Sequence, residues 1–321
     1  MTSPSASTFD QRNLAAALVP SLQQACEDRL GDVNWFRADW QRGGAATGHT
    51  SFTIARDDLQ PAVVKLPVAQ RELRWIRRIN ESRDEPLIGP RLFASGDSLG
   101  GYDLAWVVME RFPHGPLGLR WSEDHIPRIA DAAARFHRIA LSYPVSEPPR
   151  DEDWGELVDG ALESVRVNRL PGDDRWIRLL KALRDRLDGF VTEWRARDVR
   201  QWLHGDLHLA NAMSRTSLDA GPVCLIDFAE VHSGHWLEDA VYLERQLWAR
   251  PERMKNHKPV KVLAEARRRN GLPVENNYAR LAMIRRALLA ATAPRFLRTE
   301  GHPAHLEACL DWLERALDEL R

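Results

Sequence analysis

The sequence predicts an α+β protein in which a small, strand-rich part precedes a larger, mainly helical part. Between Trp35 and Phe112, short apolar or alternating runs are separated by turn-forming residues, a pattern typical of a mostly antiparallel sheet. After Leu117, apolar residues recur at helical spacing over long stretches. At about 150 residues per domain, the 321 residues are enough for two domains or lobes.

The elements of the first part follow from these patterns. Residues 10–30 carry apolar side chains at helical spacing and predict a helix that Pro20 breaks or restarts. The strands that follow are predicted at Ser51–Ala55, Ala62–Leu66, Pro90–Ala94 and Leu104–Phe112, with one helix at Ala69–Ser82. The changes of pattern predict an N-terminal tail and helix over residues 1–29, a first lobe over 30–111 and a second lobe over 112–321.

The second part is predicted to be helical with two short strands inside it. Apolar stripes predict helices over Ile126–Leu141 and Trp176–Trp194, and helices resume from about Glu238. The strand-like runs are Gln201–Leu203 and Val223–Ile226, and each ends in a cluster of polar residues. These clusters are the best candidates for chemistry.

Composition excludes several classes of function. Hydrophobic residues make up 44% and charged residues 28%, which is enough for a globular core. Because 45 Lys and Arg oppose 46 Asp and Glu, we expect neither a nucleic-acid partner nor a polybasic membrane-binding surface. Three distant cysteines, the lack of a signal-like N-terminus and the lack of a long apolar run predict a cytoplasmic protein.

The first polar cluster has the form HxDxxxxN, from His204 through Asp206 to Asn211, and the second begins at Asp227. Phosphoryl transfer uses one carboxylate to orient the acceptor hydroxyl and receive its proton. It also uses an amide oxygen and a second carboxylate to hold Mg²⁺ on nucleotide phosphates. Magnesium prefers oxygen ligands, which suits Asn and Asp better than His. Asp206, Asn211 and Asp227 are therefore predicted to surround one metal–phosphate centre.

At these residues the chain resembles the aminoglycoside phosphotransferase/choline kinase-like family, which is related to the protein kinases. The segments His204–Asn211 and Ile226–Glu230 resemble the family's catalytic loop and metal-binding turn, in the family's order. Ala62–Leu66 resembles the strand whose Lys contacts phosphates, and Val107–Gly115 the hinge between lobes. The resemblance covers roughly residues 40–245 and implies a bilobal protein-kinase-like fold, with a small β-rich N-lobe and a larger α-helical C-lobe.

The resemblance also implies roles for individual residues. Asp206 is expected to be the catalytic base, His204 a structural brace for its loop, and Asn211 and Asp227 the Mg²⁺ ligands. The expected activity is transfer of the γ-phosphate of ATP to a hydroxyl of a small molecule. His208 stands where protein kinases have Lys, which favours the small-molecule branch.

Further residues are expected to bind the nucleotide. Lys65 would contact its phosphates and pair with Glu72, although Glu81 is a second candidate and Glu72 could be an ordinary surface charge. Met109, Glu110 and Phe112 lie at the hinge, where backbone groups of Glu110 and Phe112 would receive the adenine edge. A glycine-containing loop that would contact the phosphates is expected at Gly43, Gly44 and Gly48. A plain hairpin turn is the alternative for these glycines.

Two other functions remain open at this stage. A kinase-like binding module without catalysis would need the same fold, yet the residues of the chemistry are all present. A His/Asp metal-dependent hydrolase could use His204, Asp206 and His208, with His232 or His235 completing the metal sphere. That interpretation leaves Asn211, Asp227 and the strand-rich lobe without a role.

The acceptor is not identified by the sequence. Between Glu252 and Glu300, twelve Lys and Arg oppose four Glu, and in the family late helices commonly wall the acceptor pocket. Such a basic wall disfavours a polycationic aminoglycoside, although a solvated helix face would account for most of these charges. Twelve tryptophans allow a cage for a quaternary ammonium group, with core packing as the simpler explanation.

Overall fold

The structure, a computed structural model, describes residues 11–36, 46–55, 58–82 and 84–321. The described chain divides into two units. The first comprises residues 1–115 as far as they are described, together with 213–230, and the second comprises 116–212 and 231–321. The segment 213–230 therefore belongs with the N-terminal unit, although the second unit both precedes and follows it in the chain.

The secondary structure follows the predicted order, with strands concentrated early and helices late. Within the described residues the strands are β1 (Asn34–Phe36), β2 (Ala46–Thr53), β3 (Leu59–Leu66), β4 (Leu92–Gly96), β5 (Trp106–Glu110), β6 (Gln201–Leu203), β7 (Ala212–Ser214), β8 (Val223–Leu225) and β9 (His232–Gly234). The helices there are α1 (Gln11–Ala17), α2 (Val19–Ala25), α3 (Gln70–Glu81), α4 (His125–Ala140), α5 (Trp154–Asn168), α6 (Asp173–Arg184), α7 (Leu187–Arg195), α8 (Leu237–Arg245), α9 (Pro259–Arg269), α10 (Tyr278–Thr292), α11 (Leu297–Glu300) and α12 (Pro303–Glu319).

The first unit is built on an antiparallel sheet in the order β1-β2-β3-β5-β4, counted over the described residues. Strand β3 alternates, so that Val64 and Leu66 are buried while Lys65 lies on the opposite face. The buried face packs on α1 and α2, with Leu22 and Phe52 in the same apolar cluster. The predicted break at Pro20 is confirmed, since α2 begins one residue before it.

The segment 213–230 completes the first unit. It carries β8, whose neighbour in a two-stranded sheet is β7. The backbone N–H of Leu225 donates to the carbonyl oxygen of Ile88, 2.7 Å away. The turn at Phe228–Glu230 packs on α3. Through these contacts Asp227 and α3 are held in the same unit.

The second unit is a group of helices around a short two-stranded ribbon. Strand β6 pairs antiparallel with β9, and the predicted strand at Gln201–Leu203 is confirmed with both ends. Helix α4 packs on β6 and on α9, and α10 packs on α12 and α8. These packings place α4, α8 and α9 beside the loop that follows β6.

The prediction of one helix over Trp176–Trp194 is wrong, because the chain breaks between α6 and α7. The apolar stripe continues across the break, so periodicity alone gives no sign of it. Arg186 lies at the break, and its guanidinium donates to the carbonyl oxygens of Leu317 and Leu320, 2.9 and 2.5 Å away. A contact with the end of α12 therefore accompanies the break. Among the residues that the structure describes, no helix is both long enough and apolar enough to cross a bilayer.

Candidate active site

The predicted site residues fall in both units. His204, Asp206 and Asn211 belong to the second unit, and Lys65, Glu72, Asp227 and the hinge residues belong to the first.

The loop that follows β6 is held in place by hydrogen bonds from its backbone N–H groups. The N–H groups of His204 and Gly205 donate to the two carboxylate oxygens of Asp239, each at 2.9 Å. Gly205 has φ +80°, a left-handed conformation that glycine adopts without steric cost. Asp239 lies in the first turn of α8 and is 1% exposed. The helix therefore fixes the position at which the loop leaves the strand.

Two buried side chains hold Asp239 in turn. His137 Nε2 lies 3.0 Å from Asp239 Oδ2, and Arg267 Nη1 lies 3.1 Å from His137 Nδ1. Because a guanidinium can only donate, His137 Nδ1 accepts the hydrogen bond from Arg267. The ring hydrogen is then on Nε2, which donates a hydrogen bond to Asp239. Burial is the largest influence on the pKa of His137 and lowers it, so that the ring stays neutral. Sequence reasoning assigned no chemistry to His137, and its partners lie far away in the chain.

The carboxylate of Asp206 has three side-chain neighbours. Asn211 Nδ2 donates to Oδ2 at 2.8 Å, and the hydroxyl of Tyr242 donates to Oδ1 at 2.9 Å. His208 Nε2 lies 3.3 Å from Oδ2. Burial raises the pKa of Asp206, but the hydrogen bonds and charges of His208, Tyr242 and His204 outweigh it and bring the pKa to about 2. The group is therefore ionised at neutral pH.

His204 supports this loop from inside. Its side chain is completely buried, and its Nδ1 accepts from the backbone N–H of Asp206 at 3.3 Å. Its ring lies edge-on to Phe136 of α4. These contacts position the loop, and none of them needs His204 to exchange a proton.

In the first unit, Lys65, Glu72 and Asp227 lie together. Lys65 Nζ is 2.5 Å from Glu72 Oε1 and 3.6 Å from Asp227 Oδ1. Glu72 is buried in the first turn of α3, where a negative charge is favourable. Burial lowers the pKa of Lys65, but the two carboxylates raise it by more than burial lowers it. The net shift of the pKa is upward, and the ammonium group is retained. Of the two candidate partners, the structure pairs Lys65 with Glu72.

Asp227 stands two residues after β8 in a left-handed conformation, with φ +65°. Few residues other than glycine adopt it, and Asp is among those that tolerate it best. Its side chain is 36% exposed, which leaves it accessible to a ligand. Such sparsely populated conformations concentrate at functional sites.

The hinge segment contains a side-chain contact that sequence reasoning did not anticipate. The carboxylate of Glu110 accepts a bidentate pair of hydrogen bonds from Arg215, at 2.8 and 2.7 Å. Arg215 also stands over the ring of Phe112, with 5.1 Å between guanidinium carbon and ring centroid. Met109 is buried within β5 and faces Val63 of β3. The Glu110 and Phe112 side chains thus make contacts that hold Arg215 in place, whereas the resemblance gave a role only to their backbone.

The predicted glycine loop is described only at one end. Gly43 and Gly44 lie outside the described residues. Gly48 lies inside β2, opposite Val64 and Trp35, and therefore in a strand. A Cβ at this position would stand 2.4 Å from Val33 Cγ1, just before β1, and 3.0 Å from Trp35 Cε3 in β1, so packing already favours glycine here.

Two tryptophans of the second unit stack against guanidinium groups of the chain itself. Trp194 is covered by Arg197 at 4.0 Å and by Arg285 at 5.1 Å, and Arg285 also stands over Trp154. All three distances run from the guanidinium carbon to a ring centroid. The chain's own cations therefore occupy the faces of Trp154 and Trp194 that a quaternary ammonium group would need.

Much of the basic charge between residues 252 and 300 is paired within the second unit. Arg280 binds Glu193 at 2.8 Å. Arg285 binds Glu152 at 3.0 Å and Arg286 binds Glu244 at 2.6 Å. Three of the twelve basic residues of this stretch are therefore neutralised by carboxylates outside it, which reduces the charge available to a basic acceptor wall.

The side chains present decide which metal-binding chemistry is available. In the described ranges, no group of three or more His, Cys, Asp or Glu side chains is arranged to hold a metal ion. The His/Asp hydrolase interpretation therefore has no structural support there. The Asn211 amide nitrogen donates to both the side chain and the backbone of Asp206, which leaves its carbonyl oxygen as the group for a cation. That oxygen and the exposed carboxylate of Asp227 have the donor chemistry that Mg²⁺ prefers.

Comparison with known proteins identifies the family of the chain. Residues 39–284 match the model of the phosphotransferase enzyme family, which is more than half of the chain. The chain belongs to this family of phosphotransferases. Among curated proteins, none matches the chain in sequence.

Solved structures show which fold the family members share with this chain. A choline/ethanolamine kinase family protein from Mesorhizobium loti has a TM-score of 0.56 at 13% identity, over 97% of this chain and 96% of its own. A microcompartment-associated aminopropanol kinase has a TM-score of 0.57 at 14% identity, over 93% and 95%. A thermostable mutant aminoglycoside phosphotransferase, in ternary complex with AMP-PNP and hygromycin B, has a TM-score of 0.51 at 15% identity, over 90% and 94%. The predicted kinase-like α+β fold is confirmed.

Proposed function

We propose that this phosphotransferase moves the γ-phosphate of ATP, bound with Mg²⁺, to a hydroxyl of a small molecule. The observation that carries the proposal is the Asp206 carboxylate, which is ionised, partly exposed and held by donors on both oxygens within an anchored loop. A carboxylate in this state can accept a hydrogen bond from an alcohol and orient it. Family membership supplies the reaction type, and the kinase structures of the same fold support a small acceptor.

In this proposal Asp206 acts mainly by orienting the acceptor hydroxyl, and less by its strength as a base. A carboxylate with a pKa of about 2 is a weak base toward an alcohol. Phosphoryl transfer has a largely dissociative transition state, in which the acceptor hydroxyl loses its proton late. The acceptor oxygen forms its bond to the γ-phosphorus, the bond to the ADP oxygen breaks, and the proton passes to Asp206. Catalysis then comes from alignment and from charge neutralisation.

The nucleotide phosphates would be bound by the first unit. Lys65 is a retained ammonium between two carboxylates, and Glu72 holds it in place from α3. Asp227 and Asn211 would hold Mg²⁺, which supplies neutralisation of the phosphate charge when bound. Support for a triphosphate of this kind also comes from the related structure that contains AMP-PNP.

The test is release of ADP from MgATP in the presence of candidate acceptors. The panel consists of ethanolamine, choline, 1-amino-2-propanol and hygromycin B, with a no-acceptor control. Asp206→Asn is expected to lower kcat by about 10²- to 10⁴-fold, because the amide neither orients the hydroxyl as an anion does nor receives its proton. Asp188→Asn, an exposed change on α7, is the matched control and should leave kcat unchanged.

Other outcomes would redirect the proposal. Stabilisation by MgATP without turnover of any acceptor would favour the kinase-like binding module. Turnover that survives Asp206→Asn would remove Asp206 as the base. A requirement for stoichiometric zinc would favour the hydrolase.

A further inference from the structure

Helix α8 carries a second side chain that reaches the catalytic loop. Asp239 binds the loop backbone, and Tyr242 stands three residues later on the same face of the helix. The Tyr242 hydroxyl donates to Asp206 Oδ1 at 2.9 Å. One rigid element therefore holds both the backbone of the loop and the carboxylate that the loop presents.

The two oxygens of Asp206 are held by different parts of the chain. Oδ2 accepts from Asn211 and faces His208, both members of the loop itself. Oδ1 accepts from Tyr242, which lies outside the loop. The terminal torsion of Asp is broad and roughly two-fold, so a donor on one oxygen alone leaves the plane of the carboxylate poorly fixed. The second donor fixes that plane.

We propose that Tyr242 is a positioning residue that fixes the plane of the Asp206 carboxylate, so that it faces the acceptor hydroxyl. This inference rests on the proposed function, in which Asp206 orients that hydroxyl. Tyr242 neither gives up nor gains a proton in the reaction, and its hydroxyl remains a donor throughout. Burial, followed by the charge of Asp206, raises the pKa of Tyr242, which keeps that hydroxyl protonated.

Packing alone does not account for a tyrosine here. The ring lies 6.3 Å from the ring of His208, centroid to centroid, and the residue is half-buried. Phenylalanine would fill the same volume and make the same ring contacts. The part of the side chain that only tyrosine supplies is the hydroxyl, and the hydroxyl contacts Asp206.

Tyr242→Phe tests the inference, with Tyr278→Phe as the matched control. Tyr278 is a half-buried tyrosine on α10, whose ring packs on Trp236. Steady-state kinetics use MgATP and the acceptor from the panel that gives the fastest ADP release, or water as the acceptor if none exceeds the background. We expect Tyr242→Phe to lower kcat about 10-fold with KM for ATP within about twofold of wild type, because the proposed nucleotide contacts come from Lys65, Asn211 and Asp227. Tyr278→Phe should leave both constants unchanged.

A crystal structure of Tyr242→Phe gives a readout that does not depend on turnover. The Asp206 carboxylate is expected to rotate or to occupy two orientations, while the loop backbone on Asp239 stays in place. An unchanged carboxylate together with unchanged kcat would overturn the inference. A fall in kcat that accompanies a fall in the thermal midpoint of unfolding, with the carboxylate unmoved, would assign Tyr242 a structural role. That result would also overturn the inference.

Asp206→Asn separates this inference from the proposed function. If Asp206→Asn is inactive and Tyr242→Phe behaves as wild type, the inference fails and the proposed function stands. If Asp206→Asn retains wild-type turnover, the proposed function fails first, and the inference fails with it.

Discussion

Replacement of Asp239 by Asn tests whether one buried carboxylate anchors the loop that carries Asp206. The carboxylate accepts from the backbone N–H groups of His204 and Gly205 and from His137. An Asn side chain has one acceptor oxygen and one amide group. In its better orientation the oxygen keeps the hydrogen bonds of His204 and His137, and the amide then faces the N–H of Gly205.

The expected loss of stability follows from this geometry. At least one hydrogen bond to a charged group disappears, which is worth about 1.5–3 kcal/mol. The N–H of Gly205 is also left facing another donor, which costs about 1–3 kcal/mol when the group is buried. Because the chain can relax in part, we expect Asp239→Asn to lower the free energy of unfolding by about 2–5 kcal/mol, somewhat less than the sum of these two losses.

Urea unfolding followed by tryptophan fluorescence measures this change, since most tryptophans lie in the second unit. The exposed control Asp188→Asn should change the free energy of unfolding by well under 1 kcal/mol. Turnover of Asp239→Asn should fall even at temperatures where the variant is folded, because the loop that carries Asp206 is no longer held. A loss below about 1 kcal/mol, with normal turnover, would refute the anchoring role.

Two further predictions concern charges outside that anchor. Glu72→Gln removes the charge that retains the Lys65 ammonium, so MgATP should raise the thermal midpoint of this variant less than that of wild type. The control Glu81→Gln, on the exposed side of α3, should show the same rise as wild type. Equal responses of the two variants would argue against the pairing of Lys65 with Glu72. Glu275 has its pKa lowered from 4.5 to about 2, because the hydrogen bonds and charge of its neighbours outweigh burial, which raises it. Its stabilising effect is therefore fully present above pH 4.5 and is lost progressively as the pH falls through about 2, so Glu275→Gln should be less stable than wild type at pH 7 by a difference that shrinks as the pH falls from 4.5 toward 2, as measured by urea midpoints. A difference as large at pH 2 as at pH 7 would contradict this assignment.

The sequence predicts most of the local structure because local structure depends on spacing. The alternation in β3 and the stripe of α3 each occupy a dozen residues or fewer, so strand and helix are visible in the pattern. The polar clusters after β6 and β8 are also local, which is why Asp206, Asn211 and Asp227 could be nominated as candidates. Their roles remain predictions, to be tested by the variants above.

Contacts between distant residues were not predictable in this way. Tyr242 meets Asp206 across 36 positions, Arg215 meets Glu110 across 105, and Arg267 meets His137 across 130. A tyrosine on a helix or an arginine after a short strand has many possible partners, and nothing in the spacing selects one. The break between α6 and α7 has a similar origin, since Arg186 binds carbonyl groups of α12 more than 130 positions away.

Arg215 gives the first unit a dependence on the order in which the chain is made. Its guanidinium binds the Glu110 carboxylate and the carbonyl oxygens of Leu87 and Gly89, and it follows Glu110 by 105 positions. A ribosome therefore delivers the early segment without this guanidinium until much of the helical unit has been synthesised. Truncation after residue 115 would remove its hydrogen bonds permanently and leave the Glu110 carboxylate with the backbone N–H of Arg91 as a donor. To excise this unit as an independent protein, an engineer would have to graft residues 213–230 onto the early segment through a new linker.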